Sequence, residues 1–348
     1  MSNISQIDRN FAVQTSLNIE DIRFYNIQDA PFSIHGVFYE NGAYRRMPEQ
    51  VAQSVSEKVY QLHTHTAGGR VRFVTDSRYV AIKAVMHNIG KMPHFALTGS
   101  AGFDLYVGKR QEYCGAFVPP FDISDGYESV VRFDRQAQRE ITLNFPLYSG
   151  ISELYIGLED GATLKKAPAY KHSKPIVFYG SSITQGGCAS RPGNAYQSIV
   201  SRALQTDYWN LGFSGSAKGE LEIAQYIAGL DMSVFVYDYD HNAPTLEHLE
   251  ATHQKMFSLI REQNPDLPIL ILSRPKYRLT DTEQKRLAII KRTYDEAIAA
   301  GDQHTHMIDG PTLMRYAKND GTVDIHHPND LGFHSMAKVL IPQLRALL

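Results

Sequence analysis

The chain has 348 residues, of which 43% are hydrophobic, and its formal net charge is −2. That length is typical of two domains, and the near-neutral charge argues against nucleic acid and against an anionic membrane surface as partners. No apolar run approaches the roughly 18 residues that a membrane span needs. Residues 1–17 lack a basic patch followed by an apolar core, so we predict no signal peptide and a cytoplasmic protein. This prediction assumes that no targeting segment has been removed.

The first half of the chain has the pattern of a β-rich domain. From about residue 69 to residue 158, short runs rich in Val, Ile, Tyr and Phe alternate with Gly, Asp, Ser and Pro, which favours an all-β sandwich. The predicted strands include residues 70–75, 79–86, 103–107, 130–133, 141–145 and 154–158. Residues 75–78 have the composition of a hairpin turn between the first two strands, and residues 49–62 are predicted to form a helix.

From residue 174 onward the pattern becomes strand, loop and helix in repetition. The predicted strands are residues 175–180, 208–212, 232–240, 268–273 and 306–309, and the predicted helices are residues 195–205, 220–229, 245–263, 282–300 and 332–347. This alternation predicts a parallel sheet with helices on both faces. Residues 165–174 have no apolar period, so we place a β-sandwich domain at residues 1–165 and an α/β domain at residues 174–348.

The two cysteines, Cys114 and Cys188, fall in different predicted domains. Two cysteines do not make a disulfide framework, and a reducing compartment fits them. Cys188 follows a candidate nucleophile by six residues, and we interpret it as a small packing residue rather than a second nucleophile.

Polar residues stand where the predicted parallel strands end, the edge at which such sheets bind ligands. These sets are residues 180–184, 210–215, 240–242 and 324–329. A serine hydroxyl becomes nucleophilic when a base takes its proton, and histidine suits that task near neutral pH. Ser182 lies in the first set, and the fourth set holds the adjacent histidines at 326 and 327. Asp324 lies three residues before His327, so a tight turn would bring its carboxylate to the imidazole.

The remaining sets offer hydrogen-bond donors for a tetrahedral oxyanion, which needs two or three of them. We expect the backbone N–H groups of Ser182 and Gly215 and the side-chain amide of Asn242 to supply these bonds. A glycine at position 215 lets the backbone approach the substrate closely. The sequence therefore predicts an acyl-transfer site at one edge of the sheet.

These four sets, in this order, resemble the four sequence blocks of the SGNH (GDSL-like) hydrolases over about residues 174–348. The serine block is Gly180-Ser181-Ser182-Ile183, the glycine block covers residues 210–215, the asparagine block covers residues 240–242 and the Asp-x-x-His block covers residues 324–327. The resemblance implies a three-layer, flavodoxin-like α/β/α domain with Ser182 as nucleophile, His327 rather than His326 as base, and Asp324 as its orienting carboxylate. Some relatives use a backbone carbonyl in place of that carboxylate.

The N-terminal half resembles a β-rich companion domain of some SGNH hydrolases. The run Gly102-Phe103-Asp104-Leu105-Tyr106 matches its Gly-x-Asp-Leu-Tyr motif, and residues 143–150 also resemble it. This likeness implies a jelly-roll-like sandwich packed on the catalytic domain.

The chain departs from the SGNH pattern at two positions. Ser181 stands where the family has aspartate, and Ala243 stands where an aspartate usually follows the asparagine. The second departure puts the support of the Asn242 loop in doubt. Structural readings also exist for single residues: Ser182 as a helix N-cap, Asn242 as a turn residue and Gly215 as a loop glycine.

We expect no cofactor and no catalytic metal, since no His-Glu-x-x-His motif or clustered Cys/His spacing is present. His241 is a candidate for the pocket wall, and Arg274 either reaches the pocket rim or forms a surface salt bridge. The expected activity is hydrolysis of short-chain esters through an acyl-enzyme. The substrate, by analogy with SGNH enzymes that carry an added β-domain, is an O-acetylated carbohydrate. A lipase or thioesterase activity and a non-catalytic carbohydrate-binding protein are the alternatives, and the sequence leaves the oligomeric state open.

Overall fold

A computed structural model describes residues 15–348. The strands are β1 (Ile22–Asn26), β2 (Ser33–His35), β3 (Phe38–Glu40), β4 (Ala43–Arg45), β5 (Arg70–Thr75), β6 (Tyr79–His87), β7 (Phe103–Val107), β8 (Glu112–Phe117), β9 (Gly126–Arg132), β10 (Arg139–Asn144), β11 (Gly150–Glu159), β12 (Leu164–Lys166), β13 (His172–Gly180), β14 (Thr206–Gly212), β15 (Val234–Asp238), β16 (Ile269–Leu272) and β17 (Thr305–Ile308). The helices are α1 (Glu49–Val55), α2 (Glu57–Leu62), α3 (Leu97–Ser100), α4 (Ser182–Gln185), α5 (Tyr196–Leu204), α6 (Leu221–Ala228), α7 (Leu246–Gln263), α8 (Asp281–Ala299), α9 (Gly310–Leu313) and α10 (Asp330–Leu347). The prediction that residues 1–17 are not a signal peptide lies mostly outside the described residues.

The N-terminal strands form the predicted sandwich of two antiparallel sheets. One sheet has the order β1-β11-β6-β9, and the other has the order β12-β5-β10-β7-β8, with β2 also paired to β5. Alternate residues such as Val71, Phe73, Ile141 and Leu143 point into one shared core between the sheets. This alternation is what a half-buried strand produces, because successive side chains face opposite sides of a sheet.

Two predictions for this region are wrong in detail. Residues 75–78 do not form a hairpin turn, because β5 and β6 lie in different sheets and the segment crosses from one sheet to the other. Residues 49–62 form two helices rather than one. Ser56 is extended, with φ −172°, and its side chain accepts the N–H of Val59 at 3.2 Å, so it ends α1 and caps α2.

The C-terminal strands form the predicted parallel sheet, in the order β14-β13-β15-β16-β17. This is the flavodoxin-like order, in which the chain reverses direction across the sheet after its first strand. Ile176 and Phe178 pack into the core on one face, while Val177 and Tyr179 pack into the core on the other face. Because helices cover both faces, the strands read as continuous apolar runs. Within residues 15–348, no helix combines the length of a membrane span with the hydropathy that a span requires.

The sandwich packs closely on the α/β part of the chain. Asp104 of the Gly-x-Asp-Leu-Tyr motif is fully buried and accepts hydrogen bonds from Asn144 Nδ2 at 2.8 Å, Gly193 N at 2.8 Å and the Arg191 guanidinium at 3.0 Å. Asp207 accepts His35 Nδ1 at 2.8 Å and also pairs with Arg70. The motif aspartate therefore joins the sandwich to the loop before α5.

Candidate active site

The candidate nucleophile lies in a tight turn between β13 and α4. Ser181 is the N-cap of α4, since its hydroxyl oxygen accepts the N–H of Ile183 at 3.2 Å. The serine thus supplies the capping oxygen that an aspartate would otherwise supply. Gly180 is required by close packing, because a Cβ there would lie 2.2 Å from Thr184 Oγ1. The turn presents Ser182, which is only 5% exposed, at the carboxyl edge of the sheet.

The structure brings the three predicted catalytic residues together. Ser182 Oγ lies 3.0 Å from His327 Nε2, and His327 Nδ1 lies 2.7 Å from Asp324 Oδ2. A serine, an imidazole and a carboxylate in this chain of hydrogen bonds form the arrangement in which a histidine can take the serine proton. His326, the neighbouring histidine, is exposed and does not occupy this position.

The Asp324 carboxylate is held by the turn that carries both histidines. Its Oδ1 accepts the backbone N–H groups of His326 at 3.0 Å and of His327 at 2.7 Å. Ile325, between them, has φ +70°, a left-handed conformation that is strained for a β-branched residue. Burial would raise the pKa of the Asp324 carboxyl, but the hydrogen bonds from His327 and His326 hold it well below its ordinary value. The carboxylate is therefore ionised throughout the range in which a histidine base works.

Two of the three predicted oxyanion donors, Gly215 and Asn242, lie in the loops after β14 and β15, the strands on either side of β13, and the third is the N–H of Ser182 itself. Gly215 has φ +69°, which glycine adopts without strain, and a Cβ there would meet no atom within 4 Å. The requirement for glycine is thus conformational, and the space beside it is open. Asn242 Oδ1 accepts the N–H of Ala217 at 3.4 Å, so the amide oxygen is engaged by the loop after β14. The loops after β14 and β15 are therefore linked to each other.

Two buried side chains that the sequence analysis missed hold the Gly215 loop and β14, the strand that precedes it. Gln185 accepts the N–H of Ser214 at 2.9 Å and donates to Leu147 O at 3.2 Å, so it ties α4 to that loop and to the sandwich. Arg46 comes from the sandwich side and is fully buried. Its guanidinium donates to the carbonyls of Asn210 at 3.0 Å and Gly212 at 2.6 Å. Nothing in the local sequence distinguishes Arg46 from the adjacent Arg45, which forms ion pairs with Glu40 and Glu49.

The loop that carries Asn242 has a support that replaces the missing aspartate. Arg286 on α8 donates to Ala243 O at 2.8 Å and to Asp240 O at 3.0 Å. Asp240 also accepts the backbone N–H of Arg274 at 3.0 Å. The substitution at position 243 therefore leaves the loop anchored from another helix.

The structure also shows where the remaining candidate residues lie relative to the catalytic histidine. The ring of His241 lies 6.5 Å from the ring of His327, and burial together with Arg274 lowers the pKa of His241 to about 3, so it is neutral. Arg274 is mostly buried and pairs with Glu283 at 3.0 Å rather than forming a surface salt bridge. Cys188 is 7% exposed, as expected for a packing residue. His94, which the sequence did not single out, reaches the site from the sandwich, with its ring 5.6 Å from that of His327.

Two known families match the two parts of the chain. Residues 173–345 match the GDSL-like lipase/acylhydrolase family, and residues 22–164 match the GxDLY family, which is the N-terminus of SGNH-hydrolase-type esterases. The chain is an SGNH-type ester hydrolase of the GDSL-like family. The two-part architecture and the resemblance predicted from the sequence are thereby confirmed. A comparison of this SGNH hydrolase with curated proteins finds no match.

Solved structures share the fold along almost the whole SGNH hydrolase. A protein described as a GDSL-like lipase from Bacteroides ovatus is 27% identical, with a TM-score of 0.83 over 94% of this chain and 98% of that one. The salicylyl-acyltransferase of a tetracycline biosynthetic pathway is 22% identical, with a TM-score of 0.75 over 95% and 98%. An acetyl xylan esterase from Butyrivibrio proteoclasticus is 14% identical, with a TM-score of 0.61 over 93% and 98%.

Proposed function

We propose that the protein hydrolyses short-chain esters, above all O-acetyl groups on a carbohydrate, through an acyl-enzyme on Ser182. The observation that carries this proposal is the hydrogen-bonded series from Ser182 Oγ to His327 Nε2 at 3.0 Å and from His327 Nδ1 to Asp324 Oδ2 at 2.7 Å. The series is complete within one chain and lies at the sheet edge where ligands bind.

In this mechanism Ser182 Oγ attacks the ester carbonyl while His327 Nε2 takes the hydroxyl proton. Asp324 stabilises the imidazolium and fixes its Nδ1–H. The backbone N–H groups of Ser182 and Gly215 and the Asn242 amide donate to the oxyanion as negative charge develops. His327 then protonates the leaving alcohol, the acyl group remains on Ser182, and a water activated by the same histidine releases it as a carboxylate.

The substrate class rests on the surroundings of the nucleophile and on the structural relatives. The rings of His94 and His241 lie 5.6 Å and 6.5 Å from the His327 ring, and polar side chains at this position suit a polyhydroxylated leaving group better than a long acyl chain. Several solved relatives are carbohydrate esterases, among them one of family two from Cellvibrio japonicus, 10% identical with a TM-score of 0.63 over 94% of this chain and 98% of that one. Both points favour acetylated sugars over lipid esters and thioesters.

Water rather than an alcohol is the proposed acyl acceptor. The acyltransferase among the relatives passes an acyl group to an acceptor, and the same acyl-enzyme could serve either reaction. In this chain the side chains of His327 and Asp324 are 24% and 36% exposed, so solvent reaches the base directly. Solvent access to the base favours hydrolysis.

The test is hydrolysis of p-nitrophenyl acetate against longer p-nitrophenyl esters, with Ser182→Ala assayed in parallel. The proposal predicts that acetate is preferred and that the variant loses orders of magnitude in rate. A screen of acetylated oligosaccharides then identifies the sugar. Near-full activity in Ser182→Ala would overturn the assignment of the nucleophile, and a preference for long acyl chains would favour a lipase.

A non-catalytic carbohydrate-binding protein is the alternative from another functional class. Such a protein would retain sugar on an affinity column and stay unlabelled by a fluorophosphonate, which requires an activated serine. Labelling of the wild type, together with turnover of any ester, would dismiss this alternative.

A further inference from the structure

Three potential metal ligands from distant parts of the chain meet beside the candidate base. One ligand atom each from His94, Cys188 and His327 lies within 4.8 Å of the other two. They come from a loop of the sandwich, the segment after α4 and the turn before α10, so no sequence spacing joins them. Thiolate sulfur together with imidazole nitrogen is the ligand set that Zn²⁺ prefers.

We propose that His94, Cys188 and His327 bind a soft divalent cation such as Zn²⁺, and that the bound ion inhibits the esterase by occupying the catalytic histidine. The inhibitory part rests on the proposed function, whereas the binding part does not. Nδ1 of His327 is engaged by Asp324, which leaves Nε2, the atom that accepts the Ser182 proton, as the metal ligand. Metal binding and base catalysis therefore compete for one nitrogen.

The geometry is close to that of a bound ion. An ion at the centre of three atoms separated by at most 4.8 Å would lie within about 2.8 Å of each. Zn–N and Zn–S bonds are about 2.0–2.3 Å long, so shifts of at most about 0.5–0.8 Å complete the site.

Both histidine ligands have a support, and the ion has a route of entry. The Asp324 carboxylate behind His327 is the hydrogen-bond partner that metal-binding histidines commonly have. His94 is exposed, but the next residue, Phe95, is buried and packs edge-to-face on Tyr148 with ring centroids 5.1 Å apart. The His94 loop is therefore anchored while its imidazole faces solvent. An arriving ion meets His94 first and displaces the proton of the Cys188 thiol to solvent.

The binding test is titration with Cd²⁺, followed by the ultraviolet charge-transfer absorption of a Cd²⁺–thiolate bond. We expect a saturable 1:1 signal in the wild type and in Ser182→Ala, and no signal in Cys188→Ala. His94→Gln removes one of the three ligands. Loss of only the hydrogen-bond partner of a ligand already costs about 10–100-fold in metal affinity, so this variant should bind the ion at least about tenfold more weakly. Cys114→Ser and His304→Gln, which alter the other thiol and a remote exposed histidine, are the matched controls and should bind as the wild type does.

The inhibition test uses Zn²⁺ during ester hydrolysis, with reversal by a chelator. The rate of each variant without metal is the reference for its own inhibition curve. With metal, Cys188→Ala and His94→Gln should both need at least about tenfold more Zn²⁺ for half inhibition. No Cd²⁺ signal in the wild type, an unchanged signal in Cys188→Ala, or equal Zn²⁺ inhibition of all three proteins would overturn the proposal. If the protein hydrolyses no ester, the Cd²⁺ titration still shows whether the three residues bind a metal ion. Failure of the proposed esterase function and failure of the proposed metal site are therefore distinguishable.

Discussion

Replacing Asp324 by asparagine should trap His327 in the wrong tautomer. Oδ1 of Asp324 accepts two backbone N–H groups, at 3.0 Å and 2.7 Å, while Oδ2 faces His327 Nδ1 at 2.7 Å. An asparagine must keep its oxygen towards the two N–H donors, because its NH₂ group there would oppose them. The NH₂ group then faces Nδ1, which becomes an acceptor, and the ring proton moves to Nε2. An Nε2–H imidazole cannot take the proton of Ser182.

The expected loss follows from what the correct tautomer contributes in such triads. Asp324→Asn should lower kcat/KM for p-nitrophenyl acetate about 10⁴-fold, which corresponds to about 5 kcal/mol in the activation barrier. Because asparagine keeps both backbone hydrogen bonds, the thermal unfolding midpoint should change little. Nitrogen-15 NMR of His327 should show the proton on Nδ1 in the wild type and on Nε2 in the variant.

Asp324→Ala is the matched control, since it removes the carboxylate without presenting a donor to the ring. It should leave a mixture of the two His327 tautomers. Activity of Asp324→Asn within tenfold of the wild type, or an unchanged tautomer, would refute this reasoning and point to a backbone carbonyl as the orienting group.

Three further predictions concern the loops and the strand behind the nucleophile. Asn242→Ala should lower kcat about 10²–10³-fold with little change in KM, because it removes one oxyanion donor; a change confined to KM would contradict that role. Arg46→Met should lower the free energy of unfolding by about 2–4 kcal/mol in urea titrations, since it leaves the carbonyls of Asn210 and Gly212 without their donor; an unchanged midpoint would show that desolvation of the guanidinium cancels its bonds. Burial raises the pKa of Asp238 to about 7, so the unfolded state releases this proton at lower pH than the folded state, and wild-type stability should fall as the pH rises from about 4 to 7. Asp238→Asn, with no such proton, should gain about 4 kcal/mol on the wild type between about pH 4 and pH 8; a difference independent of pH would be the contrary result.

The α/β part of the fold was predictable because its signals are local. The strand around Phe178 is an apolar run buried on both faces. In the helices around it, apolar residues recur with the helical period. The strand predicted to begin at Tyr208 begins two residues earlier in the structure, at Thr206. The meeting of the polar residues that follow each strand was also predictable, because a parallel sheet brings the carboxyl ends of its strands to one edge.

Long-range pairing was not predictable in the same way. The residues around Asp76 have turn chemistry, but composition does not say whether the next strand joins the same sheet or the opposite one. The break at Ser56 required knowing that its side chain caps a second helix. Arg46 and His94 were missed because each acts across the contact between the sandwich and the α/β part, where sequence separation exceeds 100 residues. The assignment of residues 1–165 and 174–348 as separate domains stays a prediction.

The most direct test of the central claim is fluorophosphonate labelling of the protein, with mass spectrometry of the modified peptide. The account predicts one phosphonyl adduct on Ser182 in the wild type and no adduct at that position in Ser182→Ala. It also predicts much slower labelling of Asp324→Asn, because His327 can no longer activate the hydroxyl. An unlabelled wild type, or an adduct on another residue that persists in Ser182→Ala, would contradict Ser182 as the nucleophile.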